Sequence, residues 1–345
     1  MGEKTAAEIV RDYTGRPIRV MEVCGTHTHA IFEHGIRNML PDNIRLISGP
    51  GCPVCVTETG FIDEAVWLAV KKGVTITTFG DLVRIPGTEM SLADARARGG
   101  KIRIVYSPLD AVKYASDHPE IDVVFLSVGF ETTIPAACLA VRKARELGLK
   151  NFSLLTANKT MDRAYRVLKG SADAFLYPGH VSAITGTDIY EDLREEGISG
   201  VVCGFTANEI MTALAIVVTR IEKGEAFAEN AYPRVVTKEG MPIGRKLMAE
   251  TMEPCDAAWR GIGVIEGSGL KLREEYADYD ARIVHEIPEI EGHPNPACRC
   301  GDVLMGRIRP YECPLFGKVC TTEHPVGACM VSSEGTCSAY YKYNI

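Results

Sequence analysis

The sequence has no apolar run approaching the roughly 18 residues that span a bilayer, so no membrane helix is expected. It has no basic excess: 38 Lys and Arg stand against 45 Asp and Glu, a net charge of −7. A nucleic-acid binder needs a basic face, so that class is set aside. Neither a G-x-x-x-x-G-K-[ST] P-loop nor a G-x-G-x-x-G fingerprint occurs, which leaves nucleotide chemistry without a motif. The first residues, Met1 to Tyr13, mix charges and lack an apolar core, unlike a signal peptide. Together these absences give the expectation of a cytoplasmic chain.

Cysteine, by contrast, is abundant. Twelve cysteines are hard to explain as disulfides where thiols are kept reduced, and clustered thiols there point to metal ligands or redox groups. Three lie early (Cys24, Cys52, Cys55) and six crowd the tail (Cys298, Cys300, Cys313, Cys320, Cys329, Cys337). Cys138 falls at helical spacing with Ile134 and Val141, and Cys203 sits in an apolar strand, so both read as core. Cys255 is uninformative.

A chain of 345 residues exceeds one ordinary domain. From about residue 17 to 224, β-rich runs alternate with amphipathic helices. The expected strands are Ile18–Val23, Ile44–Ile47, Val74–Thr78, Ile102–Tyr106, Ile121–Val128, Phe152–Leu155, Ala174–Tyr177 and Gly200–Cys203. Most are apolar throughout, as parallel strands covered on both faces are. Thr206 and Glu209 form a capping box before a helix whose Ile210, Leu214, Val217 and Ile221 share one face. This rhythm means an α/β fold with right-handed crossovers. The strands divide into two sets of four. A short echo accompanies the division: Pro50-Gly51-Cys52 follows one strand and Pro178-Gly179-His180 another. The expected architecture is two similar Rossmann-like parallel-sheet domains, 14–118 and 119–230, facing each other. A smaller cysteine-rich third domain, 231–345, joined by residues 1–13, follows. It contains one short helix at 243–252 and loses the βα rhythm after Trp259.

In the tail, Cys298, Cys313, Cys320 and Cys337 are separated by 14, 6 and 16 residues. Prolines and glycines around them supply the turns that wrap a compact inorganic core. Four thiolates can hold [4Fe–4S] or structural zinc. Zinc sites favour paired C-x₂₋₄-C knuckles, whereas here only Cys298 and Cys300 are close. The spacing therefore favours a cluster, and does not fix which four of the six bind it.

Cys24-Gly25-Thr26-His27-Thr28-His29 follows a strand and opens a helix, where an open α/β sheet places its functional groups. A helix N-terminus lowers a thiol pKa. His27 and His29 point to different sides, so one of them can approach Cys24; a structural role is as good a reading for either. Cys52-Pro-Val-Cys55 reads as a redox dithiol or half of a soft-metal site. With Cys24 it makes a three-thiol cleft. Glu131 and Thr132, in Gly129-Phe-Glu-Thr-Thr133, could bind an anion at a helix start; helix capping by a threonine is the preferred reading.

Taken together, CGTHTH at 24–29, GPGCPVC at 49–55, GFETT at 129–133, PGHVSA at 178–183 and the C-x₁₄-C-x₆-C-x₁₆-C tail resemble the hydrogenase maturation factor HypD family from end to end. The resemblance implies a scaffold for the Fe(CN)₂CO unit of [NiFe] hydrogenase, working with a HypC-type small chaperone and a HypE-type donor of cyanide-derived ligands. It implies that Cys24 is the key iron-site cysteine and that Cys52 and Cys55 are redox thiols or further iron ligands. Cys298, Cys313, Cys320 and Cys337 would hold a [4Fe–4S] cluster that supplies electrons. His27, His29, Glu131, Thr132 and His180 become candidates for the lining of the cleft. Two other functions fit parts of the pattern. One is a cluster-and-dithiol protein disulfide reductase resembling ferredoxin–thioredoxin reductase, which needs no Cys24. The other is a zinc-stabilised binding module.

Overall fold

The computed structural model describes residues 4–343. All eight expected strands form, seven within two residues at their ends and the sixth running four residues past its expected end at Leu155. They are β1 (Ile18–Glu22), β2 (Ile44–Ser48), β3 (Thr75–Thr78), β4 (Ile102–Ile104), β5 (Val123–Gly129), β6 (Phe152–Lys159), β7 (Ala174–Pro178) and β8 (Gly200–Cys203). Three more follow: β9 (Ala228–Asn230), β10 (Met252–Trp259) and β11 (Gly263–Leu272). The first sheet has the order β2-β1-β7-β8-β9 and is parallel throughout. The second has the order β10-β11-β6-β5-β3-β4. Its β6, β5, β3 and β4 are parallel, and the β10–β11 hairpin adds to β6 antiparallel. The fold is thus α/β with two parallel-dominated sheets.

The sheets are not filled in sequence order. β1 and β2 pair with β7 and β8, while β3 and β4 pair with β5 and β6. Hence the expected boundary near residue 118 does not separate one sheet from the other, and both Pro-Gly turns of the echo lie in the first sheet. Apolar strands carry little information about which neighbour they take, because any covered parallel strand offers the same apolar faces. The hairpin also departs from expectation. It was assigned to a tail domain, yet it extends the second sheet. The short helix before it, Pro242–Thr251, was read correctly.

Burial follows the sequence pattern. Every residue of β5 is buried. Helix Ala207–Ile221 turns Ile210, Leu214 and Val217 into the core, and Thr206 and Glu209 form the expected capping box. Cys138 and Cys203 are fully buried among apolar neighbours, as core residues. One apolar cluster reaches across the carboxyl ends of both sheets. It joins Met21 of β1, Val23 after it, Cys55 after β2, Phe130 after β5 and Trp259 of β10 to Cys300 and Cys329 of the tail. The tail also grips the first sheet through helix Thr336–Lys342, whose Tyr340 meets Phe32 edge-on at 4.7 Å. Replacing the cap with Thr206→Ala is expected to lower stability by about 1 kcal/mol, read as a shifted urea midpoint with an unchanged slope.

Candidate thiol centre

Each sequence motif emerges from the carboxyl end of a strand. Cys24 follows β1 and is the N-cap of helix Gly25–Glu33. Cys52 follows β2 and caps the short helix Pro53–Val56, its Sγ accepting from the Cys55 amide at 3.3 Å. β1 and β2 are adjacent and in register, Glu22 opposite Ser48. Their loops then meet: the Gly25 amide donates to the Gly51 carbonyl at 3.3 Å. A Cβ on Gly51 would lie 2.1 Å from the Cys24 nitrogen, so only glycine fits. The three early cysteines thus occupy two loops clamped to each other.

The tail closes over them. Residues Cys329–Gly335 form a turn whose Glu334 lies against Gly25, leaving no room there for a side chain. Buried Cys52 donates from its Sγ to Ser332 Oγ at 3.4 Å, and Ser332 donates onward to Asp81 Oδ2 at 3.1 Å. Thr26 Oγ1 donates to Glu334 at 3.2 Å.

All six tail cysteines line one small pocket, with Val303, Leu315, Phe316 and Met330 between them. Cys320 Sγ accepts from the Val326 amide at 3.3 Å. Gly327 leaves space for Cys298, whose sulfur would lie 2.7 Å from a Cβ there. Among the described residues no three ligand-type side chains meet as a site for a single ion. A cube-shaped cluster takes its thiolates one per iron, and six cysteines lining one pocket offer more than the four that it needs. Sulfur donors in an apolar, enclosed pocket fit such a group.

Cys329 joins the two groups of thiols. Cys55, Cys300 and Cys329 pack in one cluster with Cys337 against it, and the thiols of Cys300, Cys337 and Cys55 hold Cys329 well below the usual thiol range. Cys300 and Cys337 are pushed up by Cys329 and by burial, and Cys55 by burial first and then by Cys329. Thiol contacts therefore run from the pocket through Cys329 to the Cys52/Cys55 turn beneath Cys24.

The expectation that the helix start would favour a Cys24 thiolate does not hold. Burial pushes Cys24 up to about 11, and the amides of His27 and Thr26 only partly oppose it. Removing a charge from water outweighs the pull of one helix turn. Burial also lifts Cys298 to about 11.

Of the other candidates, none has a side chain hydrogen-bonded to a cysteine sulfur among the described residues. His27 is fully buried; its Nε2 donates toward the carbonyls of Gly204 at 2.9 Å and Cys203 at 3.2 Å, and its Nδ1 has no partner. Burial drops its pKa to about 4, so the ring is neutral. It stacks on Phe205, whose other neighbour is the exposed His180, at 4.6 and 3.9 Å. His29 turns toward the tail, near Tyr343. Thr132 is exposed, and Thr133 stands at the N-cap position of helix Ile134–Glu146 without the expected side-chain cap, its hydroxyl donating instead to the Phe130 carbonyl at 3.1 Å. Glu131 is buried, with Oε1 accepting from the Met161 amide at 2.9 Å at the start of helix Met161–Val167 and Oε2 unpartnered. A carboxylate so placed caps a helix and repels anions, so the anion-site reading of Glu131 and Thr132 is withdrawn.

The sequence reading missed Ser332, Asp81, Phe205, Glu334 and Arg260. Asp81 carried a usable signal, since it follows β3 at the end where open sheets place functional groups. The others become visible only once distant segments meet.

A two-sheet α/β protein with a buried thiol centre at the carboxyl ends of its strands is the class that this fold and site define. A family model described as the Hydrogenase formation hypA family, HypD, matches residues 2–344. The chain is 41% identical over 340 residues to the hydrogenase maturation factor HypD of Azotobacter vinelandii. It is 41% identical over 336 residues to that of Escherichia coli K12, and 40% over 342 residues to that of Cupriavidus necator. Each comparison covers 95% of this chain and 90% of the relative. The chain belongs to the HypD family.

Burial raises Glu131 to about 7 from an ordinary 4.5. The native state thus binds this proton more tightly than the unfolded chain. The stability it contributes is full below about pH 4.5 and declines as pH rises toward 7, by about 3 kcal/mol at most. Glu131→Gln keeps an acceptor for the Met161 amide and is expected to flatten that decline, measured as urea midpoints at pH 4.5 and 7.

Proposed function

We propose that this protein acts in hydrogenase maturation as a scaffold on which the Fe(CN)₂CO unit is assembled. The thiol contacts from the six-cysteine pocket through Cys329 to the turn beneath Cys24 carry this reading. Cys24 binds the iron, its coordination completed by a HypC-type small chaperone, and a HypE-type protein delivers the cyanide-derived ligands. Iron bearing CO and cyanide is electron-rich, and thiolate is a soft donor suited to it. Cys298, Cys313, Cys320 and Cys337 hold a [4Fe–4S] cluster, leaving Cys300 and Cys329 free for exchange. A bound cluster supplies single electrons.

The free thiols can carry reducing equivalents as ordinary disulfide exchange. A Cys329 thiolate attacks Cys55 of a Cys52–Cys55 disulfide and releases Cys52 as a thiolate. Cys300, as a thiolate, then attacks Cys329, giving a Cys300–Cys329 disulfide and freeing Cys55. The low position of Cys329 among its neighbours suits it to be the attacking group.

The disulfide-reductase reading is less well supported. A reductase must present its dithiol to a protein disulfide, yet Cys52 is 3% and Cys55 0% exposed. Such a pair serves a partner already inside the cleft.

Anaerobically purified protein is expected to absorb broadly near roughly 400 nm and to carry about four irons per chain. Stoichiometric zinc in a colourless sample overturns the cluster assignment. Cys24→Ala should retain the tail iron yet lose the infrared CO and cyanide bands of the complex with the small chaperone; unaltered bands contradict the role of Cys24. Cys52→Ala and Cys55→Ala should each block assembly, and full maturation in both removes the dithiol from the scheme.

A further inference from the structure

Arg260 is a buried cation with no ion pair among the described residues. It follows Trp259 at the tip of the β10–β11 hairpin and is 5% exposed. Its amide donates to the Val56 carbonyl at 2.9 Å and its Nε to the Thr57 carbonyl at 2.7 Å. A bridge between Thr57 and Trp259 fixes the same contact. The guanidinium is thus pinned to the end of the Cys52–Cys55 turn. Nη2 is buried and unpartnered.

The other side of the hairpin tip abuts the tail. Gly261, at φ +73°, approaches Gly301 so closely that a Cβ on Gly261 would lie 2.3 Å from the Gly301 Cα. Gly301 follows Cys300, one of the cysteines that line the tail pocket. Among the described residues no ion pair to Arg260 forms, although Glu89, Asp94 and Glu323 line the cleft that it borders. Lys159 of β6 is buried nearby and carries the same charge, and burial lowers its pKa to about 8. Glu58 acts on Lys159 without an ion pair to either cation among the described residues. Arg282 is already paired with Glu64 at 2.7 Å. A cleft of about 870 Å³ opens on the outer side, lined by Arg84, Met90, His293 and Val326 besides Arg260.

A guanidinium largely withdrawn from water, with Nη2 buried and unpartnered, is unfavourable. The hairpin nonetheless holds one in place between two groups of cysteines. Thiols become thiolates when they bind metal, and a four-thiolate site then carries net negative charge. We infer that Arg260 is the positioning counter-charge of this thiolate centre, offsetting the charge of the metal-loaded tail cysteines and, where that metal is an iron–sulfur cluster, raising the cluster's affinity for an electron. The inference rests on the reading that the tail binds metal, though not on which metal.

The test compares wild-type protein with Arg260→Gln and Arg260→Lys, purified anaerobically at full length. Removing a nearby positive charge disfavours the more negative, reduced cluster. Arg260→Gln is expected to keep its iron content while the midpoint potential, followed by electron paramagnetic resonance, moves negative. Arg260→Lys keeps the charge, loses the Nε bond and should stay close to wild type. An intact cluster at the wild-type potential in Arg260→Gln overturns the inference. Should that variant not fold, Arg260→Lys decides: a wild-type potential supports the role of charge, and a shift overturns it. If the wild type carries zinc, the proposed function fails separately. The counter-charge then predicts weaker zinc binding by Arg260→Gln in chelator competition, and equal binding overturns it. A chain with no bound metal overturns it too.

Discussion

A Cβ on Gly51 would fall 2.1 Å from the Cys24 nitrogen. That approach of two loops, made possible by the absence of a side chain, is the constraint on which the thiol centre depends. Strands β1 and β2 supply the register, and the loop contact turns adjacent strands into adjacent cysteines. Gly25 then does the same for the tail by leaving room for Glu334, and Gly335 by packing on the Cys329 carbonyl. Gly261 and Gly301 add the hairpin. At each point a side chain is missing so that two backbones can touch. Substitution at Gly51 or Gly335 would move sulfur atoms as well as cost stability, since backbone lies directly in the way.

The environment created by this packing favours the protonated form of Cys24, Cys55, Cys298, Cys300 and Cys337. Burial outweighs the helix start at Cys24 and lifts the thiol to about 11, and Cys298 reaches about the same value. Such groups ionise when a metal replaces the proton, so metal uptake from the thiol state releases protons and weakens as pH falls. Cys329 is the exception, because three neighbouring thiols can donate to it. A protein that must keep cysteines unreactive until iron arrives, and yet keep one ready for exchange, would need these two environments side by side.

Much of the fold was legible because the signals were local. Apolar runs marked eight strands, Thr206 and Glu209 marked a helix start, and Cys138 and Cys203 read as core from their apolar company. What failed was the pairing of strands. Nothing in Ile18–Glu22 specifies Ala174–Pro178 as a neighbour, so the two sheets interleave where a sequential division was expected. The hairpin was missed for another reason. β10 does alternate in burial along its length, but Gly263, Gly267 and Gly269 in β11 imitate the loop-rich tail. The early cysteines were found by motif and the tail cysteines by density. Ser332 and Arg260 have no such mark: an arginine in a turn reads as a solvated surface charge until the turn is seen to be buried.

The depth of the dithiol bears on what kind of chemistry the site can serve. Cys52 and Cys55 lie beneath the tail turn, with Ser332 directly on Cys52. A folded protein disulfide could not reach them without displacing that turn, and displacing it would break the contact between Cys329 and Cys55 that joins the dithiol to the pocket. A dithiol reached from inside the protein, and close to a third thiol whose loop it shares, is instead suited to a small bound cargo. Cys24, at 9% exposed, is the least enclosed of the three early cysteines. Its loop is therefore where a metal brought from solvent would first meet a thiol, with the buried pair behind it and the stacked His27, Phe205 and His180 to one side.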